Sequence, residues 1–178
     1  WEVWDEGRKL LVHWGELGRT GSKKKVALRP DETPARGIKR LAAAQRDLGF
    51  AEIDDDDHAQ VVIEYQLDSW GTTVDLDVRD KVELLLNESL GWTGNGHCDG
   101  GDIGSGAMAL YSFVVDEQLA VATIVAALRK AKLLEGAKIT VETDDKSKVV
   151  WPKQKPKPKS KKKSKKAGNN LQRSRVFT

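Results

Sequence analysis

Three groups of side chains carry the chemistry open to this chain. The first is the run His13-Trp14-Gly15-Glu16-Leu17-Gly18-Arg19-Thr20-Gly21-Ser22 with Lys23-Lys24-Lys25 behind it. It sets an aromatic ring at the shoulder of a glycine-rich turn and puts cations on the returning chain, a pattern that offers a surface to a polyanion. The second is the stretch 91–106, which holds His97, Cys98, Asp99, Asp102 and Ser105 among its glycines. A Cys–His nucleophile pair needs the imidazole within hydrogen-bond reach of the thiol. Adjacent residues of an extended segment point to opposite faces, which separates His97 from Cys98. A zinc site needs more ligands than these two supply, so Asp99 with His13 or His58 would have to join from elsewhere. The expectation is a glycine-rich hairpin turn whose acids bond its own amides, with no catalytic residue, metal or cofactor. The third group is Lys161, Lys162, Lys163, Lys165 and Lys166 in the final segment.

Charge divides the 178 residues into three unlike parts. The chain carries +3 overall, yet residues 146–178 hold thirteen Lys and Arg and no acid. Residues 1–53 carry +3, which leaves −13 on residues 54–145. A mildly basic head, an acidic middle and a strongly basic tail are three separate electrostatic objects. One cysteine allows no intrachain disulfide, in keeping with a reducing compartment. The opening Trp1-Glu2-Val3-Trp4-Asp5-Glu6-Gly7 has neither the basic nor the apolar part of a signal peptide. The longest apolar run, 119–128, falls short of the roughly 20 residues that cross a bilayer. A soluble intracellular protein is expected, cytoplasmic or nucleoid-associated, or nuclear in a eukaryote.

The elements that must position these groups follow from periodicity. Residues 1–4, 10–14 and 23–28 read as antiparallel strands, with Lys23 and Lys25 on one face and Lys24 on the other. Thr33-Pro34 opens a helix running to 48, its start favoured by Asp31 and Glu32 and its end capped by Gly49. Ile38, Leu41, Ala42 and Leu48 point toward the sheet. Asp54-Asp55-Asp56-Asp57 repel one another and extend, so 54–58 is an acidic linker. Beyond it Val61, Ile63, Tyr65 and Leu67 alternate as a strand, and Asp77 is the expected cap of a helix to Leu90. A short strand at 94–98, the glycine loop, a strand at 108–115, a helix at 117–134 and a strand at 137–143 complete the series. The helix at 117–134 is expected to bury Leu119, Thr123, Ile124, Ala127 and Ala131. This order is β-α-β-β-α-β, the ferredoxin-like arrangement. Residues 146–178, poor in apolar groups and of one charge sign, are expected to be disordered.

The first 53 residues resemble a WGR domain. The resemblance rests on Trp1-Glu2-Val3-Trp4, on Trp14-Gly15 with its following glycines, on the basic strand, and on one helix ending at Gly49-Phe50-Ala51-Glu52-Ile53. It implies a nucleic-acid-binding module whose turn and basic strand face the backbone. Trp14 and Gly15 match the motif, whereas Glu16 stands in the place of its arginine, and a carboxylate repels phosphate. Arg19 is then the cation the same turn offers instead. The stretch 91–106 resembles one found in bacterial proteins of unassigned function.

The sequence therefore reads as an α+β chain: a WGR-like antiparallel sheet with one helix (1–53), the linker, a ferredoxin-like unit (59–145) and a basic tail. The expected function is non-enzymatic binding of nucleic acid, DNA before RNA. The residues expected to bear it are Trp14, Gly15, Arg19, Lys23, Lys24 and Lys25, with Lys161, Lys162, Lys163, Lys165 and Lys166 in the tail. The rival expectation is a protein-interaction adaptor that Glu16 has deprived of DNA contact. A protein partner through the acidic middle is compatible with either, and no membrane is involved.

Overall fold

The computed structural model describes residues 1–54, 57–143 and 146–152. It is mixed α+β, with two antiparallel sheets and three helices among the described residues. Most of the tail, including Lys161 to Lys166, and Asp55 and Asp56 of the acidic run lie outside them.

The first sheet is a meander of β1 (Glu2–Asp5), β2 (Lys9–Trp14) and β3 (Ser22–Ala27), in that spatial order. The first turn closes with the Glu6 N–H donating to the Lys9 carbonyl at 2.9 Å, through Gly7 at a φ of +76°. The helix α1 (Pro34–Asp47) begins as read: Thr33 accepts from the Arg36 N–H at 3.4 Å, and Pro34 occupies the first turn. Gly37 is its buried residue, and a Cβ there would press on the ends of Leu10 and Leu28. Leu48, expected on the sheet side, is 73% exposed, because the helix ends at 47 and Leu48 only caps it. Glu32 does not serve the helix start. Its carboxylate accepts from Arg40 at 2.8 and 2.9 Å and from the Arg29 N–H at 3.0 Å, clasping the entry loop to the helix flank.

The second sheet contains β4 (Ala59–Gln66), β5 (Gly96–Gly104), β6 (Ala107–Val114), β7 (Ala137–Thr143) and β8 (Lys146–Trp151), ordered β5-β6-β4-β7-β8. Val61, Ile63 and Tyr65 alternate onto the core, as their period demands. There they meet Val82, Leu86 and Leu90 of α2 (Thr73–Gly91) and Ala120, Ile124 and Leu128 of α3 (Glu117–Lys130). Helix α2 starts earlier than Asp77. Thr72 and Asp75 form a capping box, each side chain bonded to the other's backbone N–H, and this outcompetes a later cap. Asp116 caps α3 as read, accepting from the N–H groups of Gln118 and Leu119 at 2.9 Å. The buried stripe of α3 differs from the expected one by a step. Leu119 lies outside the core, and the helix stops at 130 rather than 134.

Two further expectations are corrected. The glycine-rich stretch is not one loop: residues 92–94 turn out of α2, residues 96–104 are strand β5, and Ser105-Gly106 turn into β6, both at positive φ. Glycine allows this because β6 passes too close for side chains. A Cβ on Gly96 would overlap the Phe113 carbonyl oxygen, and one on Gly101 the Ala109 carbonyl oxygen. A bulge inserts one extra residue between Cys98 and Gly101, and the Asn87 side chain takes up the Cys98 N–H at 3.0 Å. The basic tail also begins later than 146. Residues 146–151 form β8, paired with β7 from Thr143–Lys146 to Ile139–Trp151. Val150 and Trp151 supply the apolar partners that its lysines lack.

Gly96→Ala and Gly101→Ala are each expected to destabilise the fold by more than about 2 kcal/mol, because backbone must move. Gly100→Ala, with open space around its Cβ, is expected to cost about 1 kcal/mol from positive φ alone. Urea unfolding of the three variants checks the ranking. A second expectation concerns acid. The Arg40 side chain, and then the Arg29 N–H, hold the Glu32 carboxyl at about 2 instead of 4.5. A lowered folded-state value stabilises above the unfolded one, so this contribution is complete above pH 4.5 and disappears as pH falls toward 2. Glu32→Gln should flatten the acid limb of stability in that window, read from urea midpoints across pH.

Candidate nucleic-acid interface

The parity of β2 and β3 sorts the residues of the first sheet. Pairing of His13 with Lys23 and of Leu11 with Lys25 puts these four on one face, with Glu2 and Trp4 of β1. Val12 pairs with Lys24 and Leu10 with Val26, and these lie on the face covered by α1. A one-helix sheet normally wets its second face, yet Leu10, Leu11, Val12 and His13 are all buried. The cover is Trp92, at the C-terminal cap of α2. Its ring stands edge-on to Trp4 (centroids 6.3 Å) and to His13 (5.4 Å, planes at 88°), and Lys23 Nζ lies 4.2 Å from its centroid.

The motif's turn belongs to the same contact. The Gly18 N–H donates to the Thr93 carbonyl at 2.9 Å, and Leu119 of α3 packs where a Gly18 Cβ would project. Gly15 and Gly21 face each other across the turn so closely that a Cβ on either would meet the other strand's backbone. Glu16 and Arg19 project into solvent, 74% and 76% exposed, and pair with each other at 3.1 Å. Arg19 therefore neutralises the turn's own carboxylate. Lys25 pairs with Glu6 at 2.5 Å and Lys23 with the Trp92 ring. Of the cations expected to face phosphate, Lys24 has none of these partners.

Lys24 instead lines a groove of about 520 Å³ on the α1 side, with Trp1, Trp14, Leu41, Gln45 and Phe50. Trp14 is 41% exposed there and Phe50 more so. The sequence had signalled Trp14 and Lys24, but not Phe50 or Trp92. Phe50 sits beyond the helix cap with no periodic partner, and Trp92 is 78 positions after Trp14. Only its place after Gly91, at the end of an apolar helix face, hinted that it would project.

A second cleft of about 520 Å³ runs between the two sheets, and His13, His58 and His97 all line it, with Glu2, Trp1 and Trp14. The Glu2 carboxylate accepts from His13 Nδ1 at 2.6 Å, which leaves Nε2 buried with no partner among the described residues. No three His, Cys, Asp or Glu side chains converge there as a metal ion would require, among the described residues. His97 lies over Phe113 at 6.2 Å while Cys98 is buried on the other face of β5. Burial pushes the Cys98 thiol pKa up, and its Sγ points to the Gly100 carbonyl at 3.5 Å. No helix among the described residues is long and apolar enough to cross a membrane. Compared with known proteins, the chain matches no family model, no curated sequence and no solved structure.

Removing the cover should test how the two sheets are joined. Trp92→Ala is expected to destabilise by about 2 kcal/mol through lost ring contacts and the lost cation–π pair. Trp92→Phe, which keeps a ring over Lys23 and His13, should cost less than half of that. Urea unfolding measures both, with His13 ring resonances reporting the local change.

Proposed function

We propose that this chain is a non-enzymatic nucleic-acid-binding protein, with a WGR-like head as the module and the basic tail as its electrostatic anchor. The observation that carries the reading is the groove in which Lys24 lies beside Trp14 and Phe50. A cation with no acid partner among the described residues, next to exposed rings, suits a phosphate with an adjoining sugar or base. The strand meander β1-β2-β3 with one helix supports the WGR-like assignment, and the order β7-β4-β6-β5 supports a split-βαβ, ferredoxin-like second unit. Lys161, Lys162, Lys163, Lys165 and Lys166 add the long-range attraction that three locally engaged cations of the head do not.

The adaptor reading is favoured by a different observation, the Gly18–Thr93 hydrogen bond, which spends the motif's turn on a contact inside the chain. The two readings part on salt dependence. In the full chain, changing the five tail lysines to glutamine should lower the slope of log affinity against log salt by several units. Each phosphate contact contributes about 0.9 to that slope. Lys24→Gln should lower it by about 1, and Trp14→Ala should weaken binding without altering it. Lys23→Gln, whose charge rests on Trp92, should leave the slope unchanged. Shift titrations on duplex and single strand across salt measure these. Absence of binding by the unsubstituted chain, or equal effects of Lys23 and Lys24, would favour the adaptor.

A further inference from the structure

Among the described residues, no helix lies on the reverse face of the second sheet. Both α2 and α3 pack against the side bearing Val61, Ile63, Leu110 and Ile139. Opposed residues of paired strands share a face, so Val62, Tyr111 and Thr140 lie together on the reverse side, with Glu64, Asp102, Phe113 and Glu142 around them. Val62, Tyr111 and Phe113 are half-buried, leaving two aromatic rings in the middle of an open sheet. The acids surround the tyrosine. Its hydroxyl donates to Asp102 at 3.5 Å, and burial, followed by Asp102, Glu142 and Glu64, pushes its pKa up. Lys138, paired with Glu64 at 3.3 Å, is the lysine this face contributes from β7.

We propose that this face is the docking surface for the chain's own segment 153–166, whose sequence is Lys153-Gln154-Lys155-Pro156-Lys157-Pro158-Lys159-Ser160 followed by the lysine cluster. Three properties select this occupant. Charge is complementary: the face carries three carboxylates against one lysine, while residues 153–178 hold eleven cations and no acid. The position fits, because β8 is an edge strand of this same sheet. Its last residue, Trp151, pairs with Ile139, beside Lys138 and Glu64. Length suffices, since five strands span roughly 19 Å and the 26 remaining residues reach several times that when extended. The chemistry of the segment matches as well. Alternating prolines favour the extended helix that aromatic surfaces accept, and lysines between them meet the carboxylates and the ring faces. Each exposed ion pair is weak, yet covalent attachment supplies an effective concentration in the millimolar range, at which weak contacts close. The acids of α2 are a poorer match: Arg79 is interleaved with them and already pairs with Asp80. Docking holds the tail in a self-contact that any polyanion must displace.

The inference does not rest on the nucleic-acid reading, and its test contains no nucleic acid. The full chain is treated at low salt with a carbodiimide that joins lysine to carboxylate at zero length, and the products are mapped by mass spectrometry. An equal mixture of isotopically light and heavy protein distinguishes joins within a chain from joins between chains. Lysines 153–166 joined within one chain to Glu64, Asp102 or Glu142, and lost at about 1 M salt, are the expected result. Joins mainly to Asp75, Asp77, Asp80 or Glu83, joins between chains, or none, would overturn it. A second measurement needs no reaction at the carboxylates. Amide resonances of Val62 and Tyr111 in the full chain should shift between low and about 1 M salt, and should stay fixed when Lys153, Lys155, Lys157 and Lys159 are all glutamine. Equal salt shifts in both proteins would also overturn the proposal.

Discussion

Strand β2 is buried on both faces, and much of the arrangement depends on how its second face is covered. Leu10 and Val12 have α1 above them, as a three-stranded sheet with one helix would provide. Leu11 and His13 face the other way, where Trp92 stands edge-on to His13 and to Trp4, the strand partner of Leu11. Of the two nitrogens of this enclosed histidine, one is answered and Nε2 has no partner among the described residues. Glu2 answers Nδ1, while the edge-on indole borders the ring. Lys23 completes the stack from outside, bringing a cation to the indole face without needing a carboxylate. The cover also fixes the glycine-rich turn at 15–21, because Gly18 bonds Thr93, the residue after Trp92. The backbone of a turn engaged from within has lost one of its donors to an outside ligand.

Close backbone approach is the second constraint, and glycine meets it in both sheets. In the first, Gly15 and Gly21 let the two limbs of the turn touch. In the second, Gly96 and Gly101 let β5 lie against the carbonyls of β6, and the bulge between Cys98 and Gly101 absorbs the mismatch. The polar residues carried along are separated by strand parity: Cys98 enters the core and His97 leaves it. What resembles a reactive cluster in one dimension is spread over two faces of a sheet. That is the physical reason it presents no nucleophile–base pair.

Electrostatics follows the same division into local and long-range terms. Arg19, Lys25 and Arg40 are answered by Glu16, Glu6 and Glu32 within the head, so its small positive charge is largely consumed at short range. The acids of the second sheet's open face have far less local compensation, and the compensating charge of the chain lies beyond Trp151. The two large charge blocks of opposite sign, on residues 54–145 and beyond Trp151, act through a field screened over about 8 Å at physiological salt.

Local signals settled the kind of most elements, though not β8 or the extent of β5. Alternation at Val61, Ile63 and Tyr65, the Thr33-Pro34 start and the Asp116 cap each operate within a few residues, and each is found where the pattern puts it. The alternation of Lys23, Lys24 and Lys25 was equally legible. What alternation could not say is which face another element would occupy. That depended on Trp92, far along the chain, and it decided that Lys23, though exposed, rests on an indole ring while Lys24 lines an open groove. Tertiary contact likewise turned the glycine run into a strand, since glycine's poor strand preference is outweighed where a neighbouring backbone leaves no room for a side chain. It also drew residues 146–151 out of the basic tail into β8, because a free sheet edge supplies hydrogen bonds that composition does not record. Sequence by itself determined periods, caps and the separation of charge. Only packing at long range determined which of those residues face water, because that choice is made by surfaces the local chain does not contain.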